Sequence, residues 1–273
     1  MTSFEVLLVG GLVVMSFALF TCQWFWLRKL GVVTLLGSSA LLGWFLSGSI
    51  LVAIGVAAIW LLLPWIEILT RIRHVRIPVE RQLRPKSPPD IEMEPSLREL
   101  TKEFESAHFE TVDDVGWQWE NFQQFFRLLS HPRERCHALL SIAEQGQVAF
   151  FYMGVTSRTK DGRLWTTWTY PFSNGLKRMP RLRVQRLAGH VSISELMMKH
   201  REFLERNGIE TDDLVEPPAD ALPEEMQSEL QDQIRHNLKA GLLVESDDGN
   251  IRYTWRGLCF VWWQAVCDLV RLS

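Results

Sequence analysis

The side chains that could do chemistry in this chain are seven His, four Cys, one dense group of cations and an Asp in a turn signal. His131 and His137 stand six positions apart, and His190 and His200 stand ten apart. Neither spacing matches H-E-x-x-H or a comparable ligand set, so no residue is assigned to a metal. Cys136 lies between His131 and His137, the residue types of a thiolate with an imidazole base. Nearness in sequence does not set that geometry, and packing is the reading preferred for Cys136. Cys22, Cys136, Cys259 and Cys267 contain no C-x-x-C pair, so free thiols are expected rather than a disulfide framework.

The cations Lys177, Arg178, Arg181, Arg183 and Arg186 could grip a phosphate, an anionic lipid head group or an acidic partner. No G-x-x-x-x-G-K-[ST] loop accompanies them, and a solvated charged loop is the plainer reading. An enzyme built here would use Asp161, His137 or His190 beside that cluster, on a phosphorylated or lipid substrate. Asp161-Gly162 is already explained as a favoured turn pair. No catalytic or cofactor-binding residue is assigned, and no cofactor is expected.

What positions these groups is a chain of two characters. Its 273 residues are 47% hydrophobic and 22% charged, with net charge −3, which excludes a collagen-like, disulfide-dense or disordered protein. Between Met1 and Thr70 only Glu5, Arg28, Lys29 and Glu67 are charged. Val6 to Leu27 is uncharged and long enough to cross a hydrocarbon core of about 30 Å. The residues before it lack Lys and Arg, so a retained span is expected rather than a cleaved signal peptide. Gly31 to Ile66 is also uncharged, and one straight helix of it would be roughly 54 Å long. Two crossings that reverse at Ser47-Gly48-Ser49 fit better.

Residues 1–70 are therefore expected to form an anchor of three spans, at about 4–27, 31–46 and 50–69, with two spans as the alternative. With three, Arg28 and Lys29 fall on the same side as Arg71, Arg73 and Arg76, the arrangement that places both groups in the cytoplasm. Trp24, Trp26, Trp44 and Trp65 then lie near successive interfaces. Gly10-Gly11, Gly37, Gly43 and Gly55 could let helices approach closely, and Pro64 could kink the last span. No ionisable residue lies in mid-membrane on this assignment, so transport or channel activity is not expected.

Residues 71–95 read as a Pro-rich basic linker, whose Arg71, Arg73 and Arg76 could meet the membrane surface, with a topology signal alone the plainer reading. Residues 96–214 read as a cytoplasmic α+β domain with an antiparallel sheet. Ser96 and Glu99 form a capping box before Leu97, Leu100 and Phe104, and Ser192 with Glu195 opens a second helix that closes at Asn207-Gly208. Arg135 to Glu144, Gln147 to Ser157 and Arg163 to Tyr170 read as strands, the last two a hairpin. Trp165 and Trp168 fall on opposite faces, so both faces of that strand are expected to be covered. The aromatic run from Trp117 to Leu129 mixes both periods, and its type stays open.

From Glu224 the order is helix, Ala240-Gly241-Leu242-Leu243, a turn at Asp248-Gly249, Tyr253-Thr254-x-x-Gly257, then an apolar helix. This order resembles a winged-helix module, here residues 215–273. The resemblance implies a small helical fold with a β wing, of a kind used for DNA binding and protein docking. Glu224, Glu225, Glu229 and Asp232 open its helix and Glu245 to Asp248 form its wing tip, charges that repel DNA. Docking or structural support is expected instead. The final helix, Leu258 to Leu272, is too short to span a bilayer and is expected to pack into this module, with the membrane interface as the alternative. The sequence as a whole reads as an integral membrane protein, non-enzymatic, that binds a partner or supports regulation through its cytoplasmic domain. Its partners are expected to be the lipid bilayer and a protein at the cytoplasmic face.

Overall fold

The computed structural model describes residues 2–22, 24–79, 82–88, 94–119, 122–145, 148–170, 175–187, 189, 191–216, 218–246 and 249–272. They form two compact units, one of helices α1–α3 and α7, the other of the sheet with helices α4–α6.

Three helices in the first unit are long and apolar enough to cross a membrane. α1 (Ser3–Phe20) starts at a capping box in which Thr2 and Glu5 exchange backbone and side-chain hydrogen bonds, so the only early charge serves the helix start. α1 stops at Phe20, earlier than expected, and α2 (Phe25–Ser47) begins before Arg28 and Lys29. Trp24 and Trp26 thus belong to the start of the second helix rather than to the end of the first. Taking in Phe25 to Leu30 lengthens α2 to roughly 34 Å, a full hydrocarbon thickness that residues 31–46 alone would miss. Gly48, with φ of 65°, closes α2 in the left-handed conformation, and α3 (Ile50–Thr70) follows with Pro64 inside it.

The helices are joined by polar links. Ser16 Oγ donates to the Gly31 carbonyl at 2.8 Å, and Trp60 Nε1 donates to Ser39 Oγ at 2.9 Å. Of the glycines singled out above, Gly43 is the one in close approach: an added Cβ would stand 2.9 Å from Ala53 Cα on α3. Gly43→Leu is expected to cost about 1–3 kcal/mol by overpacking, read as a lower unfolding midpoint in detergent. Gly37 has open space at its Cβ position, so Gly37→Leu should leave that midpoint unchanged.

In the second unit, α4 (Glu94–Ser106) begins two residues before Ser96. The aromatic run of open type is a hairpin, β3 (Glu110–Trp119) and β4 (Phe122–His131). β5 (Cys136–Gln145), β6 (Val148–Thr159) and β7 (Leu164–Trp168) continue the antiparallel meander, and β8 (Leu182–Arg186) joins β7 in parallel. The linker contributes β1 (Ile77–Pro78) and β2 (Arg84–Pro85), the latter an edge strand on β3, where proline is tolerated. β9 (Leu214–Val215) pairs with the end of β6 beyond the start of β5. Among the described residues these make an eight-stranded sheet in the order β2-β3-β4-β5-β6-β7-β8, with β9 beside β6.

Both faces of the sheet are covered. α4 and α5 (Ile193–Arg206) lay Leu97, Phe104, Ile193 and Leu196 on Phe125, Leu129, Leu140, Ile142 and Val155. On the other face Leu222 and Met226 of α6 (Leu222–Lys239) pack with Val115, Phe126 and Leu128. α6 therefore serves the sheet as well as the hairpin β10 (Leu243–Glu245) and β11 (Asn250–Tyr253), to which β1 adds a third strand. α7 (Trp255–Leu272) departs from the expected module: its Leu258 and Val261 pack with Ile68 of α3. Helix, hairpin and helix are present in the order read from the sequence, but the last helix finds its apolar partner in the membrane-type unit.

Candidate functional site

β5 and β6 pair His137 with Thr156, which puts both side chains on the sheet face that α6 covers. Two residues further along β6, Arg158 points to the same face. β9 pairs Val215 with Arg158 and so brings Glu216 and Pro218 to the rim, while the first turn of α6 supplies Glu225. Arg135, in the tight turn before β5 with φ of 50°, completes the wall. The result is a pocket of about 310 Å³ lined by these groups.

Its cations are tied down. Arg158 Nη2 donates to Glu225 at 3.0 Å and to Glu229 at 2.8 Å, two carboxylates one helical turn apart. Burial raises the Glu229 carboxyl above its ordinary range, while Arg158 and then Arg181 pull it down. Arg135 Nη1 donates to the carbonyls of Thr211 and Leu214 at 3.0 and 3.2 Å. Withdrawal from water, aided by the Arg158 charge, depresses the His137 imidazole to about 4. At neutral pH the ring is uncharged, with one nitrogen to donate and one to accept. Thr156 Oγ1 shares a hydrogen bond of 2.9 Å with Thr166 Oγ1. The pocket thus offers a neutral imidazole, a hydroxyl and the flank of an engaged guanidinium to a polar ligand of low net charge.

A smaller cavity of about 110 Å³ lies on the opposite face, reached by the alternate residues Cys136 and Ser157. His200 on α5 stands between Ser157 Oγ and Thr167 Oγ1, each 3.0 Å from a ring nitrogen. Burial lowers His200 to about 4 and drives the Cys136 thiol far up. Ser157, Thr167 and His200 are all buried, so this is a satisfied polar knot inside the core. Cys136 packs there beside Leu129 and Val155, away from His137 on the other side of the strand.

The Lys177 backbone is clamped to α6: its N–H donates to Asn237 Oδ1 at 2.8 Å, and its carbonyl accepts from Gln233 and Asn237. Arg181 pairs with Asp232 at 2.7 Å, while Arg183 on β8 is exposed and Arg186 half-buried. Arg178 is half-buried and engaged. Arg71 meets Glu67 at 3.7 Å, Arg73 lies over the Trp255 ring, and Arg76 is half-buried beyond the end of α3. Asp161 sits in its turn, bonded to Thr159 and paired with Arg163 at 2.6 Å, and has no part in the pocket. His190 lies outside the described residues. Of the three groups an enzyme reading would use, His137 alone lines the pocket.

Sequence reasoning missed Arg135, Arg158 and Glu225. A signal existed in the acidic stripe Glu225, Glu229, Asp232 on one side of α6, which here faces Arg158 and Arg181. Among the described residues no three His, Cys, Asp or Glu converge as metal ligands. No family model matches this chain, and searches of curated proteins and of solved structures find no match.

Proposed function

We propose that this chain is a membrane-tethered binding protein: α1–α3 hold it in the cell membrane as three spans, and the sheet domain, in the cytoplasm, binds a polar ligand or a protein segment in the β5–β6–α6 pocket. The observation that supports this is the internal pairing of the pocket's cations. Arg158 is already held by two glutamates and Arg135 by two carbonyls, so the cavity recognises shape and hydrogen-bonding groups rather than a strong anion. Glu224 on α6 and Glu245 on β10 are exposed acids, which favours docking of a protein over nucleic acid on grounds of charge.

A photoreactive residue at Val215, on the pocket rim, is expected to form a discrete adduct in native membranes, and one at Lys102 on the exposed side of α4 none. No adduct at 215, or equal labelling at both positions, defeats the reading. Cysteines placed at Ser3 and Ser49 should be labelled from outside the cell if three spans are present.

An enzyme acting on a phosphorylated or lipid substrate is the second reading, favoured by the uncharged His137 beside Thr156 and Arg158. It requires phosphate or fatty-acid release by the purified protein that His137→Gln abolishes.

A further inference from the structure

α7 is an 18-residue helix whose neighbours are set by specific contacts with α3. Trp255, at its start, lies under the Arg73 guanidinium at 5.0 Å. One to two turns on, Leu258 and Val261 are buried with Ile68, bordered by Trp65 and Ile72. Trp262 stacks on Trp65 with centroids 6.2 Å apart, and its indole N–H donates to the Leu61 carbonyl at 2.7 Å. These contacts run from Arg73, in the short turn after α3, down α3 to Leu61 as α7 advances from Trp255 to Trp262.

That descent fixes a depth. Leu61 lies nine residues before Thr70, roughly 13 Å along the helix axis from its end. A side chain bonded to the Leu61 carbonyl shares the medium around Leu61, whose neighbours Leu62, Leu63 and Ile66 are exposed apolar residues of a candidate span. The acceptor is also well chosen. The Leu61 carbonyl gives the Trp262 indole a partner that hydrocarbon would not supply. Outward from α3, Trp255 and Trp263 are 60% and 57% exposed, amphipathic rings of the kind that concentrate where head groups meet acyl chains.

We infer that the first half of α7, Trp255 to Trp263, is embedded in lipid: it enters the leaflet at the Arg71–Arg76 end of α3 and lies against that helix, with Trp255 at head-group level and Trp262 below it. The inference rests on the reading that α1–α3 span the bilayer. The chain leaves the membrane after α3 and returns to it at α7, so the intervening sheet domain is tethered at both ends. Apolar burial of Leu258 and Val261 and the paired indole of Trp262 hold this half of α7 there.

The test uses the full chain in phosphatidylcholine–phosphatidylglycerol vesicles. An environment-sensitive fluorophore is placed on the native, exposed Cys259 with the other cysteines replaced by serine or alanine, and separately on Ile66→Cys and Lys102→Cys in a cysteine-free chain. Brominated lipids are expected to remove most of the emission at 259 and 66, with iodide ineffective, and the label at 102 should respond to iodide alone. Trp263→Cys in the cysteine-free chain provides a second position on α7 and should behave as 259. Iodide quenching at 259 and 263 with lipid quenching at 66 overturns the embedding of α7 and leaves the anchor standing. Iodide quenching at 66 as well overturns both.

Discussion

Lowering the pH from 7 to 4.5 is expected to cost the sheet domain about 5 kcal/mol of stability through His137 and His200 alone, about half from each. Both rings are uncharged in the fold, with proton affinities depressed to about 4. In the unfolded chain each takes up its proton near pH 6.5. The folded-state value is the lower one, so between those limits the unfolded chain binds more protons, and stability falls as pH falls. The slope is about 1.4 kcal/mol per pH unit for each ring, complete above pH 6.5 and flattening below pH 4. His131, lowered chiefly by burial, acts in the same direction. Urea unfolding of the detergent-solubilised chain, followed by the sheet circular-dichroism signal, measures this directly. His200→Gln should be less stable at pH 7, since Ser157 or Thr167 loses its partner, yet its slope should be shallower by the contribution of one proton. A wild-type slope unchanged by that substitution would mean that His200 protonates in the fold, and the buried-knot description would fail.

How far these features could be read in the sequence follows from which signals are local. Helices with polar solvent faces were plain: Ser192 caps α5 through the Glu195 N–H, and Asn207-Gly208 closes it, as their side chains dictate. The hairpin at Asp161-Gly162 was equally legible, with Gly162 in the left-handed region. β3–β4 was not, because its strand is buried on both faces: Phe125 and Leu129 meet α4 and α5, and Phe126 and Leu128 meet α6. Two covered faces erase the period of two that marks a strand. The end of α1 was hidden for a related reason, since Thr21-Cys22 carries neither Gly nor Pro, and an apolar run does not announce where it turns. The pocket depends on register between strands far apart in sequence, His137 with Thr156 and Arg158 with Val215, and no local pattern encodes that. The acidic residues of α6 were legible as charge but not as partners; their function appears only when Arg158 and Arg181 are brought opposite them.

Those partners carry the second large effect. Arg158→Met removes the cation that holds Glu225 and Glu229 against the sheet, and at pH 7 the domain is expected to lose about 2 kcal/mol, below the value for a fully buried pair because all three side chains keep some contact with water. The pH dependence of that loss identifies its origin. Burial already raises the Glu229 carboxyl, and Arg158 is the largest influence opposing the rise. Without Arg158 the carboxyl moves further up, so the folded state favours the protonated form, and the penalty appears as pH rises above the unfolded value near 4.3. The difference between Arg158→Met and wild type should therefore shrink between pH 7 and pH 5. His137 adds to the same trend, since Arg158 is one of the two causes that depress it, and its removal lets the ring accept a proton at a higher pH. Combining Arg158→Met with Glu229→Gln should recover a large part of the loss at pH 7, because the uncompensated charge is gone while the side chain keeps its volume. A loss that is constant with pH and untouched by Glu229→Gln would instead assign Arg158 a packing role for its methylene stem. The pocket would then be shaped by apolar contact and not by the ion pairs that close its α6 wall.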